Sequence, residues 1–162
     1  MTIVTNTGPL VILAKIDQLG LLQQMFRSIA IPPAVHRELL AKSGPEVSRL
    51  DAALKQFIEI VGEPEFPPAV KIVIEHLDAG EQQAIALAYV RNTMLVIDER
   101  LGRQAARQLG LAVTGSTGVL IEAKKRGYIP AVRPLLEAAR QQGYWLSDEL
   151  INIAAKMAGE TS

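Results

Sequence analysis

Five short apolar runs, each followed by a longer stretch with helical apolar spacing, constrain this chain more than any other feature. The strand-like runs fall at residues 2–5, 29–31, 57–61, 94–97 and 111–114. Amphipathic segments lie between and around them at 10–16, 19–26, 33–41, 46–55, 69–76, 79–91 and 101–109. Strands alternating with helices build βαβ units, and such units give a parallel sheet covered by helices on both faces. Runs such as "MLVI" carry no polar face, as expected for parallel strands buried on both sides. The expected fold is therefore α/β, with a mostly parallel sheet of about five strands.

The punctuation agrees with that alternation. Pro32 and Pro33 follow a strand and open a helix, where a missing N–H costs little. Gly110 after "RQAARQL" and Gly127 after "IEAKKR" fit the position just past a helix end. The most loop-like stretch, "GEPEFPP" at 62–68, is too short to link two domains. A single domain over 1–162 is the simplest organisation, and it is long enough to bury a sizeable core. With aromatics at only 4%, that core must be aliphatic, and a fold built on aromatic base-stacking strands is disfavoured. The longest apolar run has seven residues (84–90), far short of a membrane span. No basic segment followed by a long apolar one marks a secretory signal at the N-terminus. The chain has no cysteine, which excludes thiolate metal sites and is compatible with the cytoplasm.

The formal net charge is zero, but it is segregated. Residues 100–140 hold eight Lys and Arg against two Glu, a local balance of +6. Residues 59–81 hold six Asp and Glu against one Lys. Such segregation suits solvated helix faces, and it equally suits a basic surface beside an acidic pocket.

In an open parallel sheet, ligands bind beyond the carboxyl ends of the strands, where strand order reverses. Polar residues at those ends are therefore the candidates. Asn6 closes the first strand in "TNTGPL", Glu38 lies early in the helix after the second, Glu81 opens a later helix, and Asp98 follows "MLVI" with Glu99 beside it. Each also has a structural use. Asp78 and Glu81 have capping-box spacing, Asp98 suits the N-cap of a helix starting near Arg100, and Glu38 suits a solvent-facing position. Taken together, three carboxylates at one sheet edge repel unless a cation sits among them. Hard cations such as Mg²⁺ or Mn²⁺ take carboxylate and carbonyl oxygens. They can also activate water against a phosphodiester.

Elsewhere, Ser116 or Thr117 in "GSTG" suits the N-cap of a helix over 118–126, and Ser147 that of a helix over 148–157. Trp145 in "GYWLSDEL" reads as a core or dimer anchor, while His36 and His76 read as surface or boundary residues.

The blocks "TNTGPLVILAKI", "IAIPPAVHREL", "LDAGEQQAIALA", "LVIDERLGRQAARQLGL" and "VTGSTGVLIEAKKRGYI" together resemble the PIN domain superfamily. More closely they resemble its DUF3368 group, over roughly residues 3–150. The resemblance implies a three-layer α/β/α sandwich and a Mg²⁺- or Mn²⁺-dependent ribonuclease. It also implies a toxin of the VapC type, paired with an antitoxin and often dimeric. It carries the acidic quartet of that family onto Asn6, Glu38, Glu81 and Asp98, with Glu99 as an auxiliary ligand. Thr7 matches the hydroxyl residue that would hold a metal-bound water. Arg100, Arg103, Lys124 and Lys125 would contact RNA phosphates.

Asn6 departs from the family pattern, in which aspartate is usual; the amide keeps an oxygen but removes a charge. Two readings follow. One is a metal-dependent ribonuclease; the other is a non-catalytic PIN-fold module that binds RNA or protein with a weakened metal site. A phosphotransfer receiver fits less well because no lysine closes a strand, and "GSTG" lacks the spacing of a nucleotide-binding loop.

Overall fold

The computed structural model describes residues 1–160. Its strands are β1 (Thr2–Thr5), β2 (Ser28–Ile31), β3 (Ile58–Ile60), β4 (Met94–Val96) and β5 (Val113–Thr114). The helices are α1 (Thr7–Lys15), α2 (Gly20–Met25), α3 (Pro33–Leu40), α4 (Val47–Gln56), α5 (Pro68–Ile74), α6 (Ala79–Arg91), α7 (Arg100–Gln108), α8 (Ser116–Lys125), α9 (Arg133–Gln141) and α10 (Asp148–Met157).

All four strand pairings are parallel, and the sheet order is β3-β2-β1-β4-β5. The chain winds outward from β1 to β3, then returns to the other side of β1 with β4 and β5. Strand order thus reverses between β1 and β4, and the crevice beyond their carboxyl ends is where a ligand belongs. The register pairs Thr5 with Val96. The Asn6 N–H extends that ladder by one bond, donating to the Val96 carbonyl at 2.9 Å. Asn6 and Asp98 are neighbours for this reason.

The core is aliphatic, as the composition requires. Ile3, Ile29, Ile31, Leu95 and Ile97 from the sheet region are fully buried with Leu10 and Leu13 of α1, Ile85 of α6 and Leu120 of α8. Each such side chain contributes about 1.5–3 kcal/mol on leaving water. Helix α6 packs on β1 and against α3, α5 and α7, while α1 packs against α3, α4 and α8, giving the α/β/α sandwich. The buried Gln83 side chain accepts the Ala34 N–H at 2.8 Å, fixing α6 to the start of α3. That bond sets Glu38 and Glu81 at one end of the sandwich.

Three expectations are corrected. A helix over 133–141, α9, lies where none is expected from "IPAVRPLLEAARQ". Pro134 sits in its first turn, where proline is tolerated. Helix α8 begins at Ser116 rather than at 118, with Gly115 in the N-cap position and no cap from its own Ser or Thr. Trp145 is 80% exposed and belongs to no core. The Asp78–Glu81 capping box, the Ser147 cap and the left-handed Gly110 and Gly127 form as the sequence suggests.

Candidate active site at the carboxyl edge of the sheet

An open cleft of about 870 Å³ lies over the β1–β4 reversal. Asn6, Thr7, Glu38, Asp78, Asp98 and Glu99 are among the residues lining it. Each arrives by a distinct local device. Asn6 is the extended residue between β1 and α1, with φ −85° and ψ 173°. Its position is that of an N-cap, yet its side chain makes no capping bond. The Asn6 Oδ1 and Thr7 Oγ1 atoms are both buried and have no hydrogen-bond partner. A buried acceptor without a partner is costly, about 1–3 kcal/mol, and its persistence at a cleft points to use.

Asp98 is locked. Its Oδ1 accepts the Ser116 N–H at 2.7 Å and its Oδ2 accepts the Ser116 hydroxyl at 2.6 Å. Asp98 therefore caps α8 from across the chain, while the expected cap on its own following helix is absent; Glu99 occupies that N-cap position without a side-chain bond. Arg103 Nη1 donates to the Asp98 carbonyl at 2.7 Å, holding the turn from the other side. Gly115 makes room: a methyl group there would lie 2.7 Å from Asp98 Oδ1. The Tyr144 phenol is pushed above its usual range, by burial first and then by the Asp98 carboxylate facing it.

Glu81 is buried, and its pKa is pushed up to about 7, by burial first and also by the charges of Asp78 and Glu99. Its Oε1 accepts the Asp78 N–H at a long 3.3 Å, a weak hold. Asp78 Oδ1 accepts the Glu81 N–H at 2.8 Å in return. Glu81 Oε2 lies 3.2 Å from where a methyl on Gly102 would stand. Glu38 Oε1 rests against Gly80, in the space a β-carbon there would fill.

These donors suit a hard divalent cation in kind: they are all oxygens, one is a buried orphan, and one carboxylate sits in a place that disfavours its charge. They are not drawn together on one point. Among the described residues no three Asp, Glu or His side chains are gathered closely enough to hold an ion. The reason is visible in the bonds, since Asp98 spends both oxygens on Ser116 and Glu81 turns back to Asp78.

A family model described as DUF3368, PIN domain, matches residues 2–160. The chain belongs to the PIN domain family. Members of that family are generally nucleases that bind nucleic acid. The fold is similar to that of a PilT N-terminus domain protein from the hyperthermophilic archaeon Sulfolobus solfataricus P2. The two share 19% identity at a TM-score of 0.54, over 76% of this chain and 93% of that one. A search of curated proteins found no match.

Asn6, Thr7, Glu38, Asp98 and Glu99 of this PIN domain line the cleft, whereas Glu81 is buried and does not line it. Of the four basic residues expected at RNA, only Arg103 lines the cleft. Arg100 and Lys125 are exposed elsewhere, and Lys124 is paired with Glu160 at 3.3 Å. Lys15, Lys42, Arg107, Tyr144 and Trp145 also line the cleft and were not anticipated. For Lys15 a signal existed, because it ends the helix that Asn6 begins. For Tyr144 and Trp145 none did, since a loop 47 residues beyond Ile97 has no sequence-local tie to it.

Among the described residues no helix is long and apolar enough to cross a membrane.

Proposed function

We propose that this PIN domain is a Mg²⁺- or Mn²⁺-dependent ribonuclease. The observation that carries the reading is the orphaned, buried Asn6 Oδ1 at the strand-order reversal; a buried Glu81 at the start of α6, whose charge is unfavoured, supports it. Both are relieved by a cation. Asn6, Glu38, Glu81 and Asp98 would hold it, with Glu99 as an auxiliary. When bound, such an ion supplies a water of lowered pKa and neutralises charge on a phosphate oxygen.

The protein's own part is positional. Ser116 and Arg103 hold Asp98 in one orientation. Gly80 and Gly102 leave room for Glu38 and Glu81 to reach inward. The Thr7 hydroxyl, free of any protein partner, is placed to orient a water beside Asn6. Arg103 on the cleft wall faces an incoming phosphate.

The test is cleavage of a single-stranded RNA with Mn²⁺, with chelator, and with the Glu38→Ala variant. Wild type is expected to cleave only with Mn²⁺ and the variant to lose activity. Equal cleavage by both proteins would end the proposal.

The second reading, a non-catalytic binding module, is favoured by one observation: Asp98 already spends both oxygens inside the protein. Calorimetric titration with Mn²⁺ separates the two. No heat at millimolar Mn²⁺, with RNA still bound, selects the module. We further propose, on the family resemblance, that the chain is the toxin of a toxin–antitoxin pair in the cytoplasm and works as a homodimer. Leu150, Ile153 and Met157, spaced along the exposed side of α10, supply an apolar stripe for such a protein partner.

A further inference from the structure

The sole tryptophan is the most exposed large hydrophobic side chain described, at 80%, and it lines the cleft beside the proposed catalytic groups. Tryptophan is on average highly buried, so an indole left in water at a cleft wall requires an explanation. The segment bearing it is anchored. Leu146 beyond it is buried in the core, and Tyr144 before it is half-buried facing Asp98 and Ser116. The indole is thus held at the cleft by anchored neighbours on both sides, one of which, Tyr144, faces Asp98.

The same cleft carries four cationic side chains: Lys15 at the end of α1, Lys42 in the loop after α3, and Arg103 and Arg107 of α7. None of the four is in an ion pair among the described residues. Cations without protein anions suit phosphates, and a free aromatic face suits a base. Bases in a duplex are stacked on each other and offer no such face, whereas an unpaired nucleotide does.

We infer that Trp145 is a base-stacking residue that makes the cleft select single-stranded RNA, with Lys15, Lys42, Arg103 and Arg107 tracking its phosphates. The inference rests on the ribonuclease reading for its orientation toward the carboxylates, and it adds a substrate-contacting residue to that same site.

Because Trp145 is the only tryptophan, intrinsic fluorescence reports on this position alone. The experiment titrates the full chain, with chelator present, with a mixed-sequence RNA of about twelve nucleotides and with the same strand in a duplex. Anisotropy of a labelled strand measures binding in parallel. The single strand is expected to quench the indole and to bind at least about fivefold more tightly than the duplex. Trp145→Ala is expected to weaken single-strand binding by about tenfold or more, with Trp145→Phe restoring most of it. In cleavage assays with Mn²⁺ the alanine variant is expected to act mainly through KM.

Single-strand binding that leaves the indole signal unchanged would overturn the inference. So would equal affinity of wild type and Trp145→Ala. A fluorescence change that follows protein concentration without RNA would overturn it too, in favour of a second copy covering the indole. Quenching and selective binding without Mn²⁺-dependent cleavage would leave the inference standing and remove the nuclease. Cleavage with an unchanged KM in Trp145→Ala would do the reverse.

Discussion

Two polar clusters lie at helix ends in this protein, and they are finished differently. Around Glu160, at the end of the described chain, each carboxylate oxygen is used: it accepts the Val132 N–H at 2.5 Å and the Arg133 N–H at 3.2 Å, and it pairs with Lys124 at 3.3 Å. Around Asn6, buried acceptors are left without partners and a buried carboxyl is held near neutrality. The first cluster fastens the start of α9 to the end of α8. The second is incomplete by itself, and incompleteness at a strand-order reversal is what a ligand site looks like before its ligand. Polar burial alone does not separate structure from function; what separates them is whether the polar atoms are satisfied.

The largest effect should come from Asp98→Ala, which breaks the incomplete cluster. RNA cleavage with Mn²⁺ is expected to fall at least about a hundredfold, at or beyond the 10–100-fold typical of groups that only support a metal ligand. The same change removes the cap on α8, so the melting temperature should drop by an amount equivalent to about 1–2 kcal/mol. A variant that melts lower but cleaves normally would reduce Asp98 to a cap. Next comes Asn6→Asp, which adds the missing charge. Mn²⁺ affinity by calorimetry is expected to rise on the order of tenfold, because ligand charge tunes affinity for hard cations. Without metal the variant should be less stable than wild type, since another anion joins Glu81. A variant equally stable with and without Mn²⁺ would show that no ion is held there.

Much of the fold was legible, and the reasons are particular. β1, β2 and β4 are continuous apolar runs bounded by turn residues, and α6 carries its own start signal in Asp78 and Glu81. The polar strand ends followed directly, so Asn6, Glu38 and Asp98 could be named as one edge. The use of Asp98 could not. Its partner Ser116 is eighteen residues away, and only the β4–β5 pairing brings the two together. The core reading of Trp145 failed because an isolated tryptophan between two helices has the same sequence signature whether it packs inward or outward. The cleft cations were half legible for a similar reason: a charge run identifies a basic segment, but Arg100, Arg103 and Arg107 share one helix face, and only the tertiary placement of α7 shows that Arg103 and Arg107 line the cleft while Arg100 does not.

The finished cluster gives a smaller and opposite result. Glu160→Gln should lower stability by about 1–2 kcal/mol and leave cleavage unchanged. Burial works to raise the Glu160 pKa, but the Val132 and Arg133 N–H groups and Lys124 hold it below the usual carboxylate range. A depressed folded pKa contributes stability above the unfolded value, near 4.3, and that contribution disappears as pH falls through the folded one. Wild type and variant should therefore converge in denaturant midpoint as pH drops below about 4. A constant gap down to the lowest pH would mean that Glu160 acts through packing and not through its charge.

The smallest change in stability should accompany the sharpest separation of roles, in Gly80→Ala. The new methyl would occupy the space of Glu38 Oε1. Glu38 is a flexible side chain at the edge of an open cleft, so its carboxylate can swing away at little cost, and alanine is the better helix former. Unfolding free energy should change by less than about 1 kcal/mol in either direction. Mn²⁺ binding and cleavage should nevertheless fall, because the Glu38 carboxylate can no longer rest against Gly80 at the start of α6. A fully active Gly80→Ala would place Glu38 outside the site and leave Asn6, Glu81 and Asp98 as the whole donor set. A variant that loses both activity and several kcal/mol would make Gly80 a packing residue of the α3–α6 contact, and the glycine would then belong with the finished cluster.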